Sequence, residues 1–200
     1  MTNDLNNYLN TLHTWLSNRN FQLSPEKSTS TFFTTWTREV NTQLNIVVDG
    51  KTLPTIKDSK ILGLTFDPML TFHLYAETTV NKLKARNNML KALAGGSSGK
   101  DKETMVIAYK SISRPVLNYA APIWTPQLAN THWTKLQTCQ NSALRTATGC
   151  HLMAHEDHLH TETEILPART HNQMLSEQYL LVCHAPQHPC SSLVNGDPPT

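Results

Sequence analysis

The chain has 200 residues, 38% of them hydrophobic, enough for one compact domain or for a small domain with a helical appendage. Its 17 Lys and Arg against 15 Asp and Glu leave a net charge of +2, too little to announce a nucleic-acid binder unless the charges are concentrated somewhere. No stretch approaches the roughly 18 consecutive apolar residues of a membrane span, MTNDLNNYLN has no signal-peptide pattern, and Cys139, Cys150, Cys183 and Cys190 make no CxxC pair, which predicts a soluble intracellular chain with reduced thiols and no membrane partner.

Leu5, Leu9, Leu12 and Leu16 recur at helical spacing with Tyr8 and Trp15 beside them, so residues 4–18 are expected to form an amphipathic helix with Asp4 near its start. From Phe21 to about Phe66 the runs STSTFFT, LNIVV and ILGLTF are β-branched and aromatic and are bounded by turn residues, which predicts a small β-sheet. Asp49-Gly50 is a two-residue hairpin signal, because Gly accepts the positive φ such a turn needs.

After Asp67-Pro68 the helical period returns, with Val80, Leu83, Leu90 and Ala94 on one face and Asn87 interrupting it. Gly95-Gly96 should close that helix. Ser98 and Asp101 suggest a capping box for the next, which turns Met105, Tyr109 and Ile112 inward and stops at Arg114-Pro115. A third helix is expected from about Thr131 to Thr148, burying Trp133, Leu136, Leu144 and Ala147, with Gly149 as its stop. Residues 150–166 read as irregular. Pro167 suits the first turn of a last helix containing Met174, Leu175, Tyr179 and Val182, and the Pro-, Ser- and His-rich tail 186–200 reads as disordered. One helix, a small antiparallel sheet and then helices predict an α+β fold, divided at 1–68, 69–149, 150–185 and 186–200.

The basic residues are concentrated. Residues 80–114 hold eight of them (Lys82, Lys84, Arg86, Lys91, Lys100, Lys102, Lys110 and Arg114) against Asp101 and Glu103, a local charge of +6 that leaves −4 for the remainder.

The strings WLSNRNFQLSPEKSTSTFF, KILGLTFDPMLTF, RPVLNYAAPIW, LQTCQNSALRTATGC and DHLHTETEILP occur in that order over nearly the whole chain. Together they resemble the reverse transcriptases of non-LTR retrotransposons. The resemblance implies that 1–68 is the end of a polymerase palm, 69–149 a helical thumb and 150–185 a helical region beyond it. It gives Lys27 the position of a lysine near the incoming nucleotide, a candidate general acid for the departing pyrophosphate. Leu62, Gly63 and Leu64 match the primer grip, where a Gly inside a strand would let a backbone approach closely. Lys82, Lys84, Arg86 and Lys91 on a helix, with Lys100 and Lys102 on a following loop, suit contact with the phosphates of an RNA/DNA primer-template duplex, which needs no sequence reading.

The family's chemistry also needs Mg²⁺ held by a pair of aspartates. No Asp-Asp pair occurs here, and Asp4 is the one carboxylate before Glu26. The resemblance therefore implies a fragment that carries no cofactor of its own, depends on a missing N-terminal polymerase portion for its metals, and does not polymerise alone. The alternative is a non-catalytic helical module that binds a protein partner, or an inert remnant.

Seven of the ten histidines lie at or after His151. Cys150, His151, His155, His158 and His160 match no structural zinc spacing, and neither do Cys183, His184, His188 and Cys190, so no metal site is expected. His158 and His160 are instead expected to cap or bond the following turn. Trp124, Trp133 and Tyr119 read as core. There is no GxSxG elbow, and HEDH is not HExxH, so hydrolase and metalloprotease readings lack their motifs.

Overall fold

Among residues 2–95 and 100–196, which the computed structural model describes, one helix precedes short strands and then a run of helices, the α+β arrangement expected. The chain divides into two units, Met1–Thr71 and Phe72–Thr200. No helix among the described residues is long and apolar enough to cross a membrane.

In the first unit, α1 (Thr2–Ser17) has the predicted amphipathic spacing but no buried residue. Its Leu9 joins Leu23 and Leu44 around a small core of Ile46, Val48 and Leu53. Strands β1 (Val47–Val48) and β2 (Lys51–Thr52) pair antiparallel around Asp49 and Gly50, both at positive φ (50° and 72°), as the Asp-Gly pair requires. Strands β3 (Ser59–Ile61) and β4 (Leu64–Phe66) form a second hairpin.

The expected single sheet is thus two separate two-stranded pieces. STSTFFT contributes an isolated bridge between Ser30 and Thr55 rather than a strand. Its backbone bonds go to loops instead: Ser30 N–H to the Pro54 carbonyl (3.0 Å) and Thr34 N–H to the Pro68 carbonyl (3.0 Å).

The second unit is helical. It contains α2 (His73–Ala94), α3 (Lys102–Ile112), α4 (Arg114–Asn118), α5 (Ala121–Trp124), α6 (Asn130–Thr148), α7 (Glu156–Thr163), α8 (Ala168–Cys183) and α9 (Ser191–Asn195). Leu90, Met105, Tyr109, Leu144, Leu159 and Ile165 share one core drawn from α2, α3, α6 and the α7 region. Trp124 and Trp133 stack at 5.3 Å between ring centroids, with Tyr75 tilted against Trp124 at 5.8 Å.

Several expectations need correction. Asp101 is itself the N-cap of α3, accepting from the Thr104 N–H (3.2 Å) and hydroxyl (2.6 Å); Gly96 and Ser98 lie outside the described residues. Pro115 ends α3 as predicted but stands in the first turn of α4, where its missing N–H costs nothing. Residues 150–166 are not all irregular: α7 forms with Glu156 and Asp157 at its positive N-terminal end and buries Leu159 and Thr163. Pro167 takes the N-cap of α8 rather than its first turn. Residues 186–190 are turns leading into α9.

Candidate nucleic-acid interface

Lys27 ends a 3₁₀ turn, Pro25–Lys27, with its side chain exposed. Its neighbours pin that turn: the Ser28 hydroxyl donates to the Ser24 carbonyl (2.8 Å), and the Ser24 hydroxyl to the Glu26 carboxylate (3.2 Å). Lys51 of β2 also donates to Glu26, and chiefly through this bond the Glu26 carboxyl is held far below the ordinary carboxylate value, at about 2. The turn is therefore fastened to the β1–β2 hairpin through Glu26, and Lys27 projects beside that fastening.

Leu62 and Gly63 are the two turn residues of the β3–β4 hairpin, at φ 48° and 84°, between the paired residues Ile61 and Leu64. Gly63 was expected inside a strand. It forms the turn instead, because a tight hairpin matched to strand twist needs positive φ at both central positions. Left-handed backbone costs a non-glycine residue about 1–2 kcal/mol, yet Leu62 stands there with its side chain 86% exposed, while Leu64 is 3% exposed. The three residues divide the work: Leu64 anchors, Gly63 turns, Leu62 is presented.

On α2 the basic residues are exposed, but they do not share one face. At about 100° per residue, Lys82 and Arg86 fall on one flank and Lys84 and Lys91 on roughly the opposite one. The buried residues Tyr75, Ala76, Thr79, Val80, Leu83, Asn87 and Leu90 lie between them. Lys102 is not on a loop. It opens α3 and donates to Glu162 of α7 at 2.8 Å, which raises its pKa and lowers that of Glu162. Lys100, exposed, precedes α3.

One feature of this surface was missed from sequence. An open groove of about 450 Å³ runs between α2 and α6, with Glu77, Asn81 and Lys84 on one wall, Lys135 and Thr138 on the other and Cys139 at its floor. Lys135 lies far from the basic segment in sequence, and only helix packing brings it opposite Lys84.

Behind this surface, a polar cluster on α6 ties the helices together. Gln140 donates to the Tyr109 hydroxyl (3.1 Å) and the Leu166 carbonyl (3.0 Å); Gln137 donates to Asn141 (2.8 Å) and accepts from the Ala168 N–H (2.8 Å). His160 completes it. Its Nδ1 donates to the Ile165 carbonyl (2.7 Å), so its Nε2, 3.1 Å from Gln137 Nε2, accepts. This is the turn bond expected of His160, whereas His158 is exposed. Trp124 and Trp133 are buried as expected, but Tyr119 is 50% exposed.

Among the described residues no group of three or more His, Cys, Asp or Glu is arranged to hold a metal ion. Asp67, the buried carboxylate, accepts from the Thr71 N–H (3.0 Å) and hydroxyl (2.9 Å), so it supports a turn. These side chains do not fit a two-metal site.

No protein-family model matches the chain. Over 161 residues, 80% of its length, it is 27% identical to the probable RNA-directed DNA polymerase from transposon BS of Drosophila melanogaster. It is 24% identical over 151 residues, 76% of its length, to the probable RNA-directed DNA polymerase from transposon X-element of the same species. This chain is similar to retroelement polymerases. With the RNA-directed DNA polymerase from mobile element jockey of Drosophila funebris it shares 25% identity over 148 residues, 74% of its length. The resemblance carried by the five sequence blocks and these similarities agree. The chain spans 18%, 16% and 16% of the three relatives' lengths. No solved structure matches it.

Proposed function

We propose that this chain is the duplex-holding part of an RNA-directed DNA polymerase of a non-LTR retroelement. What supports this above all is the similarity to three such polymerases, in a chain whose exposed lysines cluster on α2 and at the start of α3. In this reading Lys82, Lys84, Arg86, Lys91, Lys100 and Lys102 supply contacts to the phosphates of a primer-template duplex. Leu62, Gly63 and Leu64 form a grip on the primer end, and Lys27 stands where a proton donor to pyrophosphate would be needed. Mg²⁺ and the aspartates that bind it are contributed by polymerase residues outside these 200.

The test is binding of a labelled RNA/DNA primer-template across a salt series. Affinity should fall steeply and linearly in log–log form, and reversing the charge of Lys84, Arg86 and Lys91 together should abolish it for every sequence tried. Binding undiminished by that triple change would sink the assignment of this surface.

A second reading, a helical module that binds a protein partner, draws on one observation. At the end of α8, Leu180, Leu181 and Val182 are 51%, 72% and 57% exposed, three apolar side chains in a row left to solvent, as at protein contacts.

A further inference from the structure

The two flanks of α2 are unequal in what stands opposite them. Lys84 faces Lys135 of α6 across the open groove, and the spacing between them is set by the packing of two long helices. That packing is fixed by the buried Asn87 amide, which donates to the Cys139 carbonyl at 2.8 Å. The charge of Lys84 reaches the Cys139 thiol at the groove floor, where burial outweighs it and leaves the thiol pKa raised. Asn81, Lys84, Asn88 and Lys91 follow at helical spacing and are all exposed, so they form one polar edge of α2 that runs on past the groove, with Lys84 and Lys91 about 10 Å apart along the axis.

We propose that this α2–α6 groove is a phosphodiester-binding site, in which Lys84 and Lys135 clasp the backbone of a nucleic acid from two sides while Asn81 and Thr138 add neutral hydrogen bonds. This rests on the duplex-holding reading and narrows it to one flank of α2, adding Lys135, a residue outside the basic segment. Glu77 gives the site a signature. It stands in the same groove 3.9 Å from Lys135, and both side chains are half-exposed, so the pair is a weak one that an incoming phosphate displaces. The carboxylate therefore opposes binding, and its removal strengthens it.

The experiment uses the full chain and a fluorescein-labelled RNA/DNA hybrid, with the matching single strand as a second arm, titrated over a salt series. Lys84→Glu with Lys135→Glu is compared with Lys82→Glu with Arg86→Glu, which changes net charge equally. The groove pair should weaken binding more than tenfold and lower the log–log salt slope by about 0.9 for each duplex phosphate that the protein no longer neutralises. The flank pair should weaken binding and lower the slope less than the groove pair does. Glu77→Gln should raise affinity roughly two- to fivefold, a gain that misfolding cannot mimic.

Equal losses from the two pairs, or no gain from Glu77→Gln, would overturn the groove assignment while leaving duplex holding intact. Competition by polyglutamate at equal charge would overturn its phosphodiester chemistry. A wild-type chain that binds neither nucleic acid would sink both readings together. Tighter binding in the hybrid arm assigns the site to a duplex, and tighter binding in the other arm to a single strand; either supports it.

Discussion

The His171 ring, 8% exposed on α8, lies against Arg114 and Asn118, with Arg114 Nη2 2.9 Å from its Nδ1 and Asn118 Nδ2 3.2 Å from its Nε2. Burial first, and the Arg114 charge second, hold its pKa below the ordinary imidazole value. The fold favours the neutral ring, so the stability it contributes is present above the unfolded pKa and is lost as pH falls toward the lower, folded value. The melting temperature should therefore drop as pH is lowered from about 7 to about 5, within the range where imidazoles titrate. His171→Gln should flatten that dependence, and a pH profile unmoved by the substitution would remove His171 as its source. At Leu62 the strained φ makes an opposite kind of prediction. Leu62→Asn relieves left-handed strain, so it should stabilise the β3–β4 hairpin by about 1 kcal/mol while weakening primer-template binding if the exposed leucine grips the primer. Unchanged binding in the more stable variant would count against the grip.

At the scale of elements, α6 holds the helical unit together through amides as much as through apolar contacts. Gln140→Ala removes the donor to the Leu166 carbonyl and to the buried Tyr109 hydroxyl, leaving the latter unmatched, which should cost about 1–3 kcal/mol in urea unfolding. Thr138→Ala, on the exposed face of the same helix, should cost far less, and equal losses would mean that the network is not what the first substitution breaks. Helices α2, α3 and α6 were legible in the sequence because each repeats apolar residues at helical spacing over about two turns or more. Helix α7 was not, because its eight residues carry one buried aliphatic side chain, Leu159, among acids and histidines. Nor was the inner face of α8, which is Ala168, His171, Asn172, Ser176 and Cys183, so that a hydrophobic count points to the wrong side of the helix. For the candidate interface, the spacing 82, 84, 86 and 91 already contains the split into two flanks. The pairing of Lys84 with Lys135 does not follow from any spacing, since two separate helices must pack to create it. Leu62-Gly63 was misplaced for a local reason: leucine is an unusual first residue in so tight a turn, and the hydrophobic run around it reads as continuous strand.

For the whole molecule, the division into two units sets the expectation for stability. The first unit has a core of Ile46, Val48 and Leu53, whereas the second has a core joining four helical segments and a separate buried tryptophan pair. Amide exchange should accordingly be slower in α2, α3 and α6 than anywhere in residues 1–66, and the reverse order would contradict that division of strength. Catalysis belongs at this scale too. If the chain is the duplex-holding part proposed above, the polypeptide should incorporate no labelled nucleotide on a primed RNA template in Mg²⁺, and incorporation above a buffer control would overturn that reading. The outward-facing leucines and valine at the end of α8 have a practical corollary for every such assay. Apolar side chains gathered on a surface bring molecules together as concentration rises, so apparent affinity and melting behaviour should drift with the amount of protein used, and dilution series belong beside each titration.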